Sequence, residues 1–337
     1  MSPGSILREP ERPRVTIRHD VFPLDGLPDA AGGRTEAHVA MVEIAVGGRR
    51  GRGEAVPQPC FGETIESVVA ALEAVAPAVE TGMLTRRGIQ RRLPPGAARN
   101  ALDLALWDFD AKRTGCSVWQ AVGLDLPHRV TTAYAIPRGT PAAMASAAAE
   151  QAHRPLLKLY LGADGDAERL AAVRGAAPAC RLIVDAGGGW SAAAFQALLP
   201  QLEAAGVELI EQPVAAGADA DLARIRRRMA VSAGEACRTE ADIETLAGRY
   251  DAVTINLDRA GGLTSALEWL DRARGAELRV VIKASLATSL GVAPAVLLAQ
   301  DADWIELDAP LHLVRDRQPG LRYDGSIIYP PSTGLWG

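Results

Sequence analysis

Short apolar runs alternate with longer stretches of helical periodicity over most of this chain. From about residue 130 the β-rich runs fall at 130–136, 155–160, 181–185, 207–211, 230–234, 252–256, 279–283 and 303–307. Between them, Ala- and Leu-rich stretches at 140–152, 165–177, 191–205, 216–228, 239–248, 263–275 and 290–299 carry apolar residues at helical spacing. Eight strands alternating with helices predict a (β/α)8 TIM-type barrel in the α/β class.

The first part of the chain reads differently. Residues 14–20 and 38–47 alternate as strands of an antiparallel sheet, set off by Gly-rich turns at 31–33 and 47–53. Residues 64–81 and 98–113 have helical periodicity. The pattern predicts an N-terminal α+β capping domain over 1–125 and the barrel over 126–310. A Pro- and Gly-rich segment, 311–337, is expected to return to the cap.

Length and composition agree with that division. The 337 residues fit a barrel of about 250 residues plus a smaller domain. Hydrophobic residues make up 48%, enough for a sizeable core, and the net charge is −5 with both signs interspersed. Neither a nucleic-acid nor a membrane partner is indicated. The basic runs, Arg86-Arg87 to Arg91-Arg92 and Arg224-Ile225-Arg226-Arg227-Arg228, read as solvated helix faces. Cys60, Cys116, Cys180 and Cys237 are widely spaced, which signals neither a zinc site nor a disulfide framework. Met1 to Arg14 lacks an apolar signal core and no apolar run nears a membrane span, so a cytoplasmic location is expected.

In such a barrel, chemistry sits where the strands end. The polar residues there are Tyr160, Asp185, Glu211, Glu235, Asn256, Asp258, Lys283, Glu306 and Asp308. Asp185 and Glu211 end adjacent strands, and two converging carboxylates suit a hard cation such as Mg2+. At the end of the next strand Gly234 has no side chain to ligate with. Glu235, one residue on, points to the opposite side unless the strand has already ended. Metal binding is therefore left open, with Asp185, Glu211 and Glu235 as the candidate ligands. Lys283 lies among apolar neighbours and needs a partner among Asp185, Glu211 and Glu235. Its ammonium is expected to offset carboxylate charge that a metal would otherwise neutralise. A structural salt bridge and a base or nucleophile role are the other readings. Lys158 and Tyr160 share a face of one strand by the period of two. A tyrosine there can donate a proton or orient an oxygen but is a poor base at its ordinary pKa. By the same period Asn256 pairs with Asp258. Glu306 and Asp308 form a same-face pair suited to a ligand ammonium. Asn256 and Ser285, beside Lys283, complete the expected substrate contacts.

The order of short motifs carries a resemblance. Gly53-Glu54-Ala55-Val56-Pro57, Phe61-Gly62-Glu63-Thr64 and Gly96-Ala97-Ala98-Arg99-Asn100-Ala101-Leu102-Asp103 occur in the first part. Leu209-Ile210-Glu211-Gln212-Pro213 and Asn256-Leu257-Asp258-Arg259-Ala260-Gly261-Gly262-Leu263 occur in the barrel. With these the chain resembles the enolase superfamily, in its muconate-lactonising subgroup, and looks most like the L-Ala-D/L-Glu dipeptide epimerases. The resemblance implies a mandelate racemase/muconate lactonizing enzyme-like isomerase. In that family Mg2+ stabilises an enediolate, and lysines on opposite faces move the α-proton. Asp185 and Glu211 match the first two metal ligands, and the third falls on Gly234. Lys158 matches the first lysine of the family's Lys-x-Lys, but the second falls on Tyr160. The sixth-strand lysine falls on Asn256, with Asp258 kept, and Glu306-x-Asp308 matches the pair that holds a dipeptide's ammonium. The family's dimers and octamers imply a homo-oligomer.

Both proton-transfer lysines and one ligand of the pattern are thus absent. Three readings follow. One is a repurposed enzyme acting on a small carboxylate- or amino-bearing, amino-acid- or peptide-derived substrate through Tyr160, Lys283, Lys158 and Asp258. Another is a non-catalytic small-molecule-binding pseudoenzyme. The third is a Mg2+-dependent isomerase or lyase that uses Glu235 as ligand and Tyr160 as acid/base.

Overall fold

A computed structural model describes residues 12–25 and 35–337. The expected turn at 31–33 and most of the N-terminal segment lie outside the described residues. Three strands, β1 (Arg14–Pro23), β2 (Glu36–Val46) and β3 (Arg49–Ala55), pair antiparallel in that order. Helices α1 (Ile65–Glu80), α2 (Arg86–Arg92) and α3 (Ala97–Thr114) pack on this sheet. Thr64 starts α1 with a reciprocal cap: its hydroxyl accepts from Ser67 N–H, and the Ser67 hydroxyl accepts from Thr64 N–H.

The turn expected over 47–53 is mostly strand. Gly47 and Gly48 form the turn, and β3 begins at Arg49. Its glycines serve close approach. A Cβ on Gly51 would lie 2.3 Å from Phe109 N, and one on Gly53 would lie 2.1 Å from Ala101 O. Only glycine lets β3 lie this close to α3, so residues that read as turn formers are packing residues.

The short α4 (Val118–Ala121) leads to the barrel. Its strands are β5 (Tyr134–Ile136), β6 (Leu156–Tyr160), β7 (Arg181–Asp185), β8 (Val207–Glu211), β9 (Ala230–Ala233), β10 (Ala252–Asn256), β11 (Arg279–Lys283) and β12 (Trp304–Glu306). They form one parallel eight-stranded sheet in sequence order, the expected (β/α)8 arrangement under a capping domain. The run 130–136 divides. Val130–Thr131 is a separate strand, β4, in a small sheet with the tail strands β13 (Tyr323–Asp324) and β14 (Ile327–Ile328). Helices α5 (Pro141–Glu150), α6 (Asp166–Ala176), α7 (Ala192–Ala204), α10 (Leu263–Gly275) and α11 (Ser289–Leu298) cover the barrel.

Two expected helices shrink. Residues 216–228 hold only a 3-10 turn at Ala220–Arg224. Residues 239–248 hold a 3-10 turn and the four-residue α8 (Ile243–Leu246). The run at 224–228 is accordingly not a solvated helix face throughout. The Arg227 side chain is 10% exposed, donates to the Leu222, Ile225 and Arg249 carbonyls, and pairs with Asp251. Guanidinium bonds take up carbonyls that a helix would have used.

A buried layer takes one residue from each strand or its edge: Ala133, Leu156, Ile183, Leu209, Ala230, Ala252, Val281 and Trp304. With the interior filled in this way, the polar strand ends stand on a rigid apolar floor. The barrel closes between its first and last strands partly through side chains. Ala133 N–H donates to Ile305 O at 2.8 Å, Ala135 N–H to Asp308 Oδ2 at 2.8 Å, and Leu307 N–H to Thr132 Oγ1 at 2.8 Å.

Cap, barrel and tail share buried polar anchors. Glu54, wholly buried on β3, accepts from Thr288 N–H at 2.8 Å and Arg317 Nε at 2.6 Å. Arg99 donates to Ala260 O at 2.6 Å and Gly261 O at 3.1 Å. Trp336 donates to Leu104 O at 3.1 Å.

Asp103 and Asp258 lie in the same cap–barrel contact, and burial pushes each from 3.8 to about 6. Their folded pKa exceeds the unfolded one, so the folded state holds the proton more tightly. The penalty is absent below about pH 4, grows as pH rises and is complete above about pH 6, at roughly 3 kcal/mol per group. Thermal midpoints are therefore expected to rise as pH falls from 7.5 to 5. Differential scanning calorimetry across that range checks it, and a midpoint falling steadily with acid would contradict it.

Candidate functional site

Five strand ends bring the site together. Lys158 and Tyr160 both lie on β6 and face the mouth, with the Lys158 ammonium 4.8 Å from the Tyr160 ring centre. β7 ends at Asp185 and β8 at Glu211, directly paired in register. β11 ends at Lys283 and β12 at Glu306, also paired. The expected face-sharing of Lys158 and Tyr160, and the convergence of Asp185 with Glu211, are both present.

Lys283 Nζ donates to Asp185 Oδ2 at 2.7 Å and to Glu211 Oε2 at 2.8 Å. Lys158 Nζ, 3% exposed, lies 2.5 Å from Glu306, 3.0 Å from Asp185 and 3.8 Å from Glu211. Two ammonium groups thus serve three carboxylates, and the Arg259 guanidinium, 3.6 Å from Glu211, is a third positive charge beside them. Burial alone would lower both lysines. The carboxylates of Asp185 and Glu211 outweigh it at Lys283, and at Lys158 Glu306 leads the same effect, so both amines are held above their usual range. Burial opposes but does not overcome the two ammonium groups at Asp185, whose pKa is depressed. Glu211 goes the other way: burial, then the Asp185 charge, push it up to about 7. Burial raises Tyr160 as well, so it stands as a protonated phenol. No hydrogen bond engages its hydroxyl among the described residues.

Glu235 does not join Asp185 and Glu211. β9 ends at Ala233, and Glu235 turns toward Arg259 at 3.7 Å with 39% of its side chain exposed. A Cβ on Gly234 would stand 2.8 Å from Glu211 Oε1, so position 234 is where a third carboxylate would reach the other two. Glycine supplies none. Among the described residues no three His, Cys, Asp or Glu side chains are grouped to hold a metal ion. The donor set does not fit the Mg2+ that the resemblance implies: two carboxylates converge, and a lysine ammonium already bridges them. The expected ligand set Asp185, Glu211 and Glu235 is corrected on that ground.

Asn256 and Asp258 do not share a strand face, because β10 stops at Asn256 and the chain turns into α9 (Leu257–Ala260). Asn256 caps α9. Its Oδ1 accepts from the Asp258 and Arg259 N–H groups, and its Nδ2 donates to Ser285 Oγ at 3.1 Å. Asp258 Oδ1 accepts from Val56 N–H at 3.0 Å and Asn100 Nδ2 at 2.7 Å, which commits it to the cap. Ser285 also accepts from Gln58 Nε2 at 2.9 Å. Asp308, just past the end of β12, spends Oδ2 on Ala135 N–H and on His312 Nε2 at 2.9 Å. Burial opposes the depression of its pKa, but the His312 contact prevails.

Two contributors carry little sequence signal of their own. Gln212 holds a left-handed backbone, φ 43°, directly after Glu211. Its amide offsets that strain: Oε1 accepts from the Gly234 and Ala236 N–H groups, and Nε2 donates to Val214 O and Tyr250 Oη. Gln212 thereby fixes the end of β9 against β8. Arg259 is buried beside Glu211 at 3.6 Å. Its place next to Asp258 in the Asn-Leu-Asp-Arg run was the available clue.

The residue pattern described as "Mandelate racemase / muconate lactonizing enzyme, N-terminal domain" matches residues 13–123, and "Enolase C-terminal domain-like" matches 141–335. The chain belongs to the enolase superfamily. Within it the chain is similar to dipeptide epimerases. It is 40% identical to the L-Ala-D/L-Glu epimerase of Escherichia coli (strain K12), over 87% of this chain and 92% of that protein. It is 33% identical to an N-acetyl-D-glutamate racemase of a Pseudoalteromonas species, covering 85% and 91%. A superfamily structure from Agrobacterium tumefaciens superposes with a TM-score of 0.93 at 42% identity, covering 96% of this chain and all of that one. It is described as having homology to dipeptide epimerases, with bound sodium and L-Ala-L-Glu.

Proposed function

We propose that this superfamily member is a repurposed enzyme that does not epimerise dipeptides. It acts on a small amino-acid- or peptide-derived molecule at the barrel mouth, with the Lys283 ammonium standing where relatives of the pattern place a divalent cation. The observation that carries this reading is the bridge from Lys283 Nζ to Asp185 and Glu211 at 2.7 and 2.8 Å. Epimerisation needs a proton acceptor on one face of the carbon and a donor on the other. Both lysines are paired as ammonium groups, and Tyr160 is a raised, protonated phenol, so a neutral-pH base is lacking on the Tyr160 side. Tyr160 therefore acts as a proton donor or orienting group, and the lysines stabilise negative charge on the ligand. The relatives support a glutamate-derived class, since L-Ala-L-Glu and N-acetyl-D-glutamate both contain that residue.

A second reading, a binding protein without turnover, is favoured by the closure of every lysine onto a carboxylate. Lys283→Met separates the two. In folded protein it abolishes turnover of a genuine substrate under the first reading and changes only stability and affinity under the second.

The first test is incubation of L-Ala-L-Glu with the protein in D2O, with and without Mg2+, followed by NMR. No deuterium is expected at either α-carbon. Enzyme-dependent exchange at the glutamyl α-carbon would overturn the reading.

A further inference from the structure

A cleft of about 710 Å3 opens along the seam between the cap and the β11–α11 loop of the barrel. On the barrel side it is lined by Leu286, the residue after Ser285, whose hydroxyl accepts from Gln58 Nε2 at 2.9 Å and Asn256 Nδ2 at 3.1 Å. On the cap side it is lined by Pro57 and by Val56, whose N–H donates to Asp258 at 3.0 Å. The cleft therefore borders the mouth on its cap side. Its volume lies in the range of small-molecule sites, about 300–1,000 Å3.

Two kinds of surface line it. Val56 is buried, and Pro57, Ile65 and Leu286 are half-buried, which makes an apolar floor. Glu36 and Glu66 are exposed at the rim. Glu63 is a third lining carboxylate, with its oxygens on the Gln58 N–H at 2.8 Å and the Ala97 N–H at 2.9 Å. Among the described residues no Lys or Arg lines the cleft. Two histidines do, with His19 Nε2 and His38 Nδ1 2.8 Å apart. A bond between two ring nitrogens holds one proton, so one nitrogen is the acceptor and the pair carries at most one positive charge. Three carboxylates outweigh it.

This lining repels an anion. An apolar chain would cover the floor but leave the carboxylates without a counter-charge, and a bare ammonium ion would leave the floor uncovered. A lysine or arginine side chain answers both, because its methylene stem lies on apolar surface while its charge sits at the tip.

We propose that the cleft receives a basic side chain of the ligand, with the stem on Pro57, Ile65 and Leu286 and the cationic head toward Glu36 and Glu66. The proposal rests on the reading of the mouth as a site for peptide-derived molecules, and it makes the residue beside the glutamate a basic one.

Calorimetric titration tests it with L-Lys-L-Glu and L-Glu-L-Lys, each against the dipeptide that carries norleucine in place of lysine. Norleucine keeps an apolar stem and lacks the charge. In one of the two orders the lysine dipeptide is expected to bind about ten-fold more tightly, equivalent to about 1.4 kcal/mol, with the difference shrinking as salt is raised. The double variant Glu36→Gln/Glu66→Gln, which alters only exposed side chains, is expected to erase the difference and to leave norleucine binding unchanged. Equal binding of lysine and norleucine dipeptides in both orders overturns the proposal alone, as does a preference that survives in the double variant. Binding of none of the four overturns the reading of the mouth and the proposal with it.

Discussion

Replacing Lys283 with methionine is expected to lower folding stability by about 3–5 kcal/mol, because one partner of a buried ion cluster is removed while the charges it served remain. Asp185 and Glu211 would keep only Lys158, which lies 3.0 and 3.8 Å away and is already closest to Glu306. Urea unfolding of both proteins measures the loss. A double variant reports on the ammonium's role through its response to Mg2+. Wild type is expected to show no shift in thermal midpoint with Mg2+. Lys283→Met/Gly234→Asp, which clears the bridge and supplies a third carboxylate, is expected to be stabilised in proportion to the logarithm of Mg2+ concentration, as for any ligand of the folded state. An equal response in both proteins, or a wild type strongly stabilised by Mg2+, would remove Lys283 from this role.

Glu54→Ala is the other change with a large expected effect. Glu54 is wholly buried and receives hydrogen bonds from the first turn of α11 through Thr288 and from the tail through Arg317. Arg317 retains Asp20 at 3.0 Å but faces an uncharged wall where the carboxylate stood. Removing the acid leaves a largely buried guanidinium and a buried N–H short of partners, at a cost of about 3–5 kcal/mol. Glu54→Gln keeps an acceptor for Thr288 and should lose less. Chemical denaturation of the two variants ranks them. A loss below about 1 kcal/mol for Glu54→Ala, the range of an exposed pair, would show that the anchor carries little.

Much of the barrel was legible in the sequence, because strands buried on both faces must be apolar throughout, and seven such runs fall where strands lie in the structure. The run at 130–136 misleads because Val130–Thr131 and Tyr134–Ile136 are equally apolar but serve different sheets, a distinction set by the tail strand β14 far along the chain. Gly51 and Gly53 show a related limit: turn chemistry and close packing use the same residue. At the site, Lys283 with Asp185 and Glu211 was readable because a lysine among apolar residues must find acids nearby. Glu235 was not, since its direction depends on β9 ending two residues earlier. Period-two reasoning also fails at Asn256 and Asp258, because the chain coils into α9 between them. Gln212 and Arg259 were hidden because their roles come from partners on other strands.

The barrel's closing seam carries a further consequence. Asp308 holds the backbone of β5 and also stands at the mouth two residues from Glu306. A place at the mouth and the integrity of the wall thus fall on one side chain. A substitution that retuned specificity at 308 would also loosen the barrel. Adaptation to a new ligand has a freer path through position 160, whose side chain holds no wall together.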